Sequence, residues 1–215
     1  MTNVARYANG HLFTIDGNRT ALMTQIGQVL GDLNEDDYAN LDRYYGRINQ
    51  LGDVADERNC KLYVDAEQTF IQAAIESFGQ QMTHKYNLGP KVVIMNGYQC
   101  YLKRMEALIP MEVRASDTLG FNLGIKLIRG AYMNEEREYA ADNNLPSPVH
   151  ESIEDTHACY NANVEHIVKN MKQTDMLFVA SHNTDSCDIA MRLTEQRGLK
   201  DSQRVIFGQL KGFSD

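Results

Sequence analysis

The sequence predicts an α/β protein whose parallel strands belong to a (β/α)8 barrel. Three observations favour this fold: short apolar strands alternate with helical segments, every strand ends in polar residues, and the repeating units have the length of a strand plus its crossover helix. No G-x-G-x-x-G motif follows the first strand, so a barrel fits better than a doubly wound sheet, which is the alternative. Only about five of the eight βα units of a barrel can be recognised. We therefore expect an incomplete barrel and a fragment of a longer chain.

The chain divides into a helical N-terminal segment, residues 1–60, and a partial barrel, residues 61–215. Helical spacing of apolar residues recurs over 22–33 and 38–55, and Asn34 caps the second of these helices. Strands are predicted at 61–64, at 91–95, from 124 to the Gly130-Ala131 turn, at 176–180 and at 204–207. Helices are predicted at 70–84, at 100–109, at 153–171 and after a cap at Asn183 or Thr184, whereas 134–147 is a charged, proline-containing excursion.

Composition excludes several functions. With 21 basic against 29 acidic residues the net charge is −8, which gives phosphate backbones no general attraction, so we expect no nucleic-acid partner. The apolar runs are far shorter than a membrane-spanning helix requires, and the first residues show no targeting segment. The 4 cysteines are widely spaced without a C-x-x-C pair, which is typical of reduced, buried or half-buried thiols.

No metal site is predicted. The His150-Glu151 pair does not start an H-E-x-x-H motif, because Glu154 stands where the second histidine should be. A calcium loop beginning at Asp16 would lack both its central glycine and its final glutamate.

The polar residues at the strand ends are the candidate site, because ligands of parallel α/β folds gather at the carboxyl ends of the strands. Alternation places Lys126 on the same strand face as Ile128 and Gly130, opposite Ile125 and Leu127. Asp65 supplies an anion at another strand end. Groups that donate or accept hydrogen bonds stand at Asn96, Gln99, Ser181, His182, Asn183 and Gln209.

These residues favour a scaffold for a large polar cofactor. Arg129 beside the small Gly130-Ala131 turn can bring a guanidinium and backbone N–H groups close to a pyrophosphate or a ring carbonyl. A Schiff-base aldolase that uses Lys126 is a further alternative. The plainer interpretation of Asp65 and His182 is that each caps a helix or stabilises a turn.

Five blocks of sequence, in order, resemble proline dehydrogenases of the eukaryotic, mitochondrial type. They are Tyr63-Val64-Asp65-Ala66-Glu67-Gln68-Thr69, Asn96-Gly97-Tyr98-Gln99-Cys100-Tyr101-Leu102-Lys103, Lys126-Leu127-Ile128-Arg129-Gly130-Ala131-Tyr132, Val179-Ala180-Ser181-His182-Asn183 and Phe207-Gly208-Gln209-Leu210. The resemblance implies a TIM-type barrel that binds FAD non-covalently. It implies oxidation of L-proline to Δ1-pyrroline-5-carboxylate, with electrons passed to a quinone, in mitochondria and in peripheral contact with the inner membrane.

The resemblance also assigns roles to residues. Asp65 and Lys126 match catalytic positions, and Lys126 matches a basic residue near flavin N5 that can stabilise negative charge. The positions that match the FAD site are Ala66, Asn96, Lys126, Ile128, Arg129, Gly130, Ala131, Tyr132, Ser181, His182, Asn183, Gln209 and Leu210.

This chain also departs from the family pattern. Residues 1–60 contain no match to the family's substrate-contacting lysine, and the final tyrosine and arginine pair that grip the proline carboxylate are not found. A catalytically incomplete proline dehydrogenase, or pseudoenzyme, is therefore an alternative prediction.

Overall fold

The computed structural model describes residues 34–199 and 203–213. Its centre is a sheet of five parallel strands in the order β1-β2-β3-β4-β5, so each strand pairs with the next one along the chain. The strands are β1 (Leu62–Val64), β2 (Ile94–Gln99), β3 (Gly124–Ile128), β4 (Met176–Ala180) and β5 (Val205–Gly208). Because the order never reverses among the described strands, right-handed crossovers place the connecting helices on one face. The sheet is thus an arc of a barrel, and the predicted fold class is confirmed.

The described residues also form six helices. They are α1 (Glu35–Glu57), α2 (Thr69–Tyr86), α3 (Met105–Leu119), α4 (Met133–Asp142), α5 (Ile153–Asn170) and α6 (Thr184–Gln196). Helix α1 precedes the first strand and packs on α2, where the rings of Tyr44 and Phe78 lie 5.0 Å apart. None of the described helices is both long and apolar enough to cross a membrane. The predicted helix over 22–33 and the Asp16 loop lie outside the described residues.

Side-chain caps start three of these helices. Asn34 accepts from the Asp37 backbone N–H and closes a capping box at α1, and Asn183 accepts from the Ser186 backbone N–H at α6. Ser152 forms a second capping box with Asp155 at α5. The predicted caps at Asn34 and Asn183 are confirmed.

The helix-facing side of the sheet forms the main core. Ile125 and Leu127 of β3 are 1% and 0% exposed and pack with Tyr160 and Val164 of α5. Lys126 and Ile128 point to the opposite, inner face. The two-residue alternation predicted for this strand is therefore what the structure shows.

Several boundaries differ from the sequence prediction. Strand β2 begins at Ile94 instead of 91, and β3 ends at Ile128, before the Gly130-Ala131 turn. Residues 133–142 of the supposed excursion form α4, which has only Glu136 and Ala140 buried and therefore shows no apolar stripe. Strand β2 continues to Gln99, so the helix predicted to begin at Cys100 begins at Met105. That helix also continues through Pro110 and ends at Leu119, where Gly120, with a φ of 75°, forms the cap.

Candidate active site

An open cleft lies at the carboxyl ends of the strands. Its volume is about 580 Å³, within the range of small-molecule and cofactor sites. It is lined by residues that lie in or directly after the strands, namely Asp65, Ala66, Glu67, Lys126, Ile128, Arg129, Gly130, Ala131, Tyr132, Phe178, Ala180, Ser181, His182, Gly208, Gln209, Leu210 and Phe213. Sequence reasoning placed most of these residues at a common mouth, and the structure brings them together.

Lys126 and Asp65 form an ion pair within this cleft. Lys126 Nζ lies 2.6 Å from Asp65 Oδ1. The lysine side chain is 22% exposed, because it points to the inner face, whereas the aspartate side chain is 64% exposed. Such a pair fixes the lysine without removing the aspartate from water. Its own stability contribution should be small, about 1 kcal/mol or less.

Arg129 is anchored by three side chains at the end of β3. Its Nε lies 2.9 Å from His157 Nδ1, its Nη1 2.7 Å from Ser181 Oγ and its Nη2 2.9 Å from Ser186 Oγ. The guanidinium also lies over the Tyr160 ring, with Cζ 4.4 Å from the ring centre. These contacts hold the charged group in one orientation against the cleft wall.

No carboxylate of the described residues is among these partners. Burial lowers the pKa of the Arg129 guanidinium, but an arginine stays protonated at any physiological pH. The wall of the cleft therefore carries a half-buried positive charge that its three hydrogen-bond partners do not neutralise. Such a charge attracts an anionic ligand.

Gly130 adopts a conformation that a side chain would prevent. Its φ is +145°, and a Cβ at this position would lie 1.4 Å from Cδ1 of Tyr101. The glycine lets the chain turn tightly after Arg129. Ala131 follows it, so the cleft wall here is bare backbone that a ligand can approach closely.

Gln99 connects two of the strand ends. Its Nε2 donates to the Glu67 carbonyl oxygen at 2.8 Å, and its Oε1 accepts from the Ala131 backbone N–H at 3.2 Å. The residue is 1% exposed. It therefore fixes the loop after β1 relative to the turn after β3.

A second cleft of about 610 Å³ adjoins the first. Arg129, Gly130 and Ala131 line both clefts. The second cleft lies beside the start of α4 and α5, and its further lining residues include Tyr101, Arg137, His150, Ser152 and Thr156. The two clefts thus share the Arg129–Ala131 segment as part of their walls, and together they are called the groove.

Two predicted site residues lie elsewhere. The Asn96 side chain donates to Thr83 Oγ1 of α2 at 3.0 Å and packs on Gly79, so it lies on the helix-facing side of β2. Its position therefore does not support the prediction that this side chain contacts a flavin ring. In β2 it is Gly97, the register partner of Lys126, that lies on the inner face, and alternation places Asn96 on the opposite face. Asn183 acts as the cap of α6 and does not line the first cleft.

Sequence reasoning missed His157 and Ser186, which both accept hydrogen bonds from Arg129. His157 lies on α5 and Ser186 lies on α6. Only the folded arrangement of these two helices brings both side chains to the end of β3. It also left Gln99 without a specific role. The signal for Gln99 was its polar side chain on the inner face of β2, two residues beyond Gly97.

A sequence model of the proline dehydrogenase family matches residues 3–215. Mitochondrial proline dehydrogenase 1 of Homo sapiens is 35% identical over 194 residues, which is 89% of this chain and 32% of that protein. The Drosophila melanogaster protein of the same name is 32% identical, with 94% of this chain and 31% of that protein covered. Hydroxyproline dehydrogenase of Xenopus laevis is 30% identical, with 85% and 40% covered.

Solved structures show the same fold. Proline utilization A of Bdellovibrio bacteriovorus superposes with a TM-score of 0.71 at 19% identity, covering 82% of this chain and 18% of that one. Proline utilization A of Corynebacterium freiburgense gives 0.66 at 20% identity, with 93% and 22% covered. The chain spans about a third of the length of the curated relatives it matches. On the match over nearly its whole length, this chain belongs to the proline dehydrogenase family.

Proposed function

We propose that this chain contributes the flavin cleft of a proline dehydrogenase, which oxidises L-proline to Δ1-pyrroline-5-carboxylate and passes the electrons to a quinone. Family membership supports the substrate and the reaction. Mitochondrial location is proposed because the relatives are named mitochondrial enzymes. The quinone and a peripheral contact with the inner membrane are proposed from the family resemblance.

The residues of the groove fit FAD, a long ligand with an anionic middle. Arg129 stands where the two clefts meet, and the turn at Gly130 and Ala131 exposes backbone to a close neighbour. We assign the pyrophosphate to Arg129 and this turn, together with Tyr132. Ala66, Ile128, Ser181, His182, Gln209 and Leu210 would hold the remainder, and Asn183 would act through the helix it caps.

We assign the Lys126–Asp65 pair to the reacting end of the cleft, where the substrate would meet the flavin ring. When bound, FAD supplies the acceptor for the hydride that leaves the substrate. The Lys126 ammonium lies on the inner face of β3, where a fixed cation favours negative charge that develops nearby. Asp65 holds this ammonium in place and offers a carboxylate to the positively charged nitrogen of an amino-acid substrate.

One observation supports the proposal most: the Arg129 guanidinium is held rigidly in a cleft wall by neutral partners. A purely structural arginine would be expected to pair with a carboxylate when half-buried. The Lys126–Asp65 ion pair also weighs against the Schiff-base alternative, because the nucleophile of an aldolase must be an uncharged amine.

The proposal is tested with the purified full chain after reconstitution with FAD. We expect a yellow protein whose flavin absorbance bleaches when L-proline is added without oxygen, and we expect K126M to keep its flavin and bleach at least ~100-fold more slowly. K85M, which changes a lysine of a surface ion pair, is the matched control.

Other outcomes would separate the alternatives. A protein that binds FAD and stays yellow with proline would favour the catalytically incomplete form. Failure to bind FAD would overturn the proposal, and borohydride trapping of a carbonyl compound on Lys126 would favour the aldolase. Hydroxyproline should be assayed beside proline, because one relative is named for it.

A further inference from the structure

Two cysteines lie together behind the wall of the second cleft. Cys100 follows β2 and Cys159 lies in α5, and Asn163 Nδ2 is 3.8 Å from the Sγ of Cys100 and 3.4 Å from the Sγ of Cys159. One amide group thus lies within hydrogen-bonding distance of both sulfurs, and each thiol influences the pKa of the other. Both are free thiols, and they are 0% and 4% exposed.

A histidine connects this pair to the cleft. His150 lies near Cys159, and its Nε2 is buried with no hydrogen-bond partner among the described residues. It is 7% exposed and lines the second cleft together with Tyr101 and Thr156. Tyr101 follows Cys100 in the chain, and Thr156 lies one helical turn before Cys159. This cleft is therefore the side from which a molecule as small as a peroxide would approach the thiols.

The two thiols differ in acidity. The neighbouring Cys100 thiol, followed by His150, lowers the pKa of Cys159, whereas burial raises the pKa of Cys100. Cys159 is therefore the sulfur that ionises more readily. The thiolate is the form that reacts with oxidants.

We propose that Cys100 and Cys159 form an oxidisable dithiol, which hydrogen peroxide converts to a disulfide. Cys159 gives its proton to His150, and its thiolate attacks one peroxide oxygen. The O–O bond breaks, the leaving hydroxide takes the proton to form water, and Cys159 becomes a sulfenic acid. The Cys100 sulfur then attacks Cys159, and the S–O bond breaks as a second water leaves. Two thiols thus supply the two electrons that reduce one peroxide.

The other two cysteines provide internal controls. Cys60 is exposed and its Sγ lies 3.6 Å from the Arg58 carbonyl oxygen. Cys187 is half-buried, with its Sγ 3.8 Å from the Ser181 carbonyl oxygen. Neither thiol has another cysteine as a hydrogen-bond partner in the described part of the chain. Oxidation governed by exposure alone would therefore start at Cys60, whereas oxidation governed by the paired geometry would start at Cys159.

The test treats the reduced full chain with increasing hydrogen peroxide, alkylates the remaining thiols and maps the peptides by mass spectrometry. We expect loss of two thiols of the four, a cross-linked peptide that contains Cys100 and Cys159, and recovery of both thiols with dithiothreitol. The proposal is overturned if Cys100 and Cys159 are still fully alkylated after unfolding when Cys60 has already been oxidised. This result does not depend on flavin binding or on proline oxidation.

Variants assign the order of reaction. C100S should give a sulfenic acid on Cys159 that dimedone labels, and H150Q should slow oxidation by roughly 10-fold, because the proton acceptor is removed. The double variant C60S/C187S should form the disulfide at the rate of the unchanged protein. Since it leaves the paired thiols untouched, it decides the question even if C100S does not fold: retention of both its thiols under peroxide would contradict the proposal.

Discussion

Arg104 and Arg129 are both half-buried, but different groups hold them. Arg104, at the start of α3, forms a two-pronged pair with Glu76 of α2, whose side chain is 8% exposed. Arg129 is held by His157, Ser181 and Ser186, none of which is a carboxylate. A paired cation stabilises the packing of two helices. A cation fixed by neutral groups at a cleft keeps its charge available for a ligand.

The largest expected effect comes from the turn beside Arg129. Gly130→Ala adds a Cβ that would lie 1.4 Å from the Tyr101 ring at a φ of +145°. We expect this variant to lose about 4 kcal/mol of unfolding free energy, from backbone strain and overpacking together. Urea unfolding checks the value. Gly120→Ala is the matched control, because its φ is also positive but nothing lies within 4 Å, and it should lose only about 1 kcal/mol.

Removal of the paired cation should cost stability and leave ligand binding intact. Arg104→Ala leaves the Glu76 carboxylate nearly buried without its partner, so we expect a loss of about 3 kcal/mol in urea unfolding. Arg114→Ala, at an exposed position of the same helix, should change stability by less than about 0.5 kcal/mol. Equal stability of the two variants would show that the Arg104 pair does not hold the helices together.

Because of Glu112, which lies between α2 and α3, the free energy of unfolding should depend on pH. Burial raises the pKa of this carboxyl from its ordinary 4.5 to about 7, although Gln80 donates to it at 3.0 Å. Because the folded state holds the proton more tightly, stability is fully present below about pH 4.5 and is lost as the pH rises to about 7. We expect a loss of about 2 kcal/mol between pH 5 and pH 8 from this group.

Glu112→Gln should remove that loss, since the amide cannot ionise. Unfolding curves at pH 5 and pH 8 provide the measurement, and Glu106→Gln, on the exposed side of α3, should keep the pH dependence of the unchanged protein. A steep pH dependence that survives in Glu112→Gln would assign it to another group.

The smallest stability effect is expected at the reacting end. Asp65→Asn removes the partner of Lys126, but the aspartate side chain is 64% exposed, so unfolding free energy should change by less than about 1 kcal/mol. Proline-dependent bleaching should nevertheless fall by at least ~10-fold, because Lys126 loses the group that positions it. Asp56→Asn, which breaks the exposed pair with Lys91, should leave bleaching unchanged.

The sequence predicted the parts of the fold that repeat. Alternation along β3 gave the inner position of Lys126, and apolar periodicity gave α5, because both signals depend on a buried face. Helix α4 was missed, since its ten residues bury only Glu136 and Ala140 and therefore carry no stripe. The end of β2 was misplaced at a Gly-containing polar stretch, although Tyr98 and Gln99 continue the strand.

Contacts between distant elements could not be predicted from periodicity. His157 and Ser186 are polar residues of helices, and only the neighbouring positions of α5 and α6 bring them to Arg129. The same holds for Cys100 and Cys159, which were expected only to be buried or half-buried thiols. Asn96 was predicted to line the cleft because its sequence block resembles the family. The alternation of side chains along β2 instead places it on the face that packs against α2.

Titration of the full chain with FAD tests the central claim most directly, with flavin fluorescence as the measurement and three proteins compared. The unchanged chain should bind FAD saturably, Arg129→Ala should bind it about 10- to 100-fold more weakly, and Arg104→Ala should bind like the unchanged chain under conditions where it stays folded. Equal affinities of the unchanged chain and Arg129→Ala would contradict the assignment of the cofactor to this cleft.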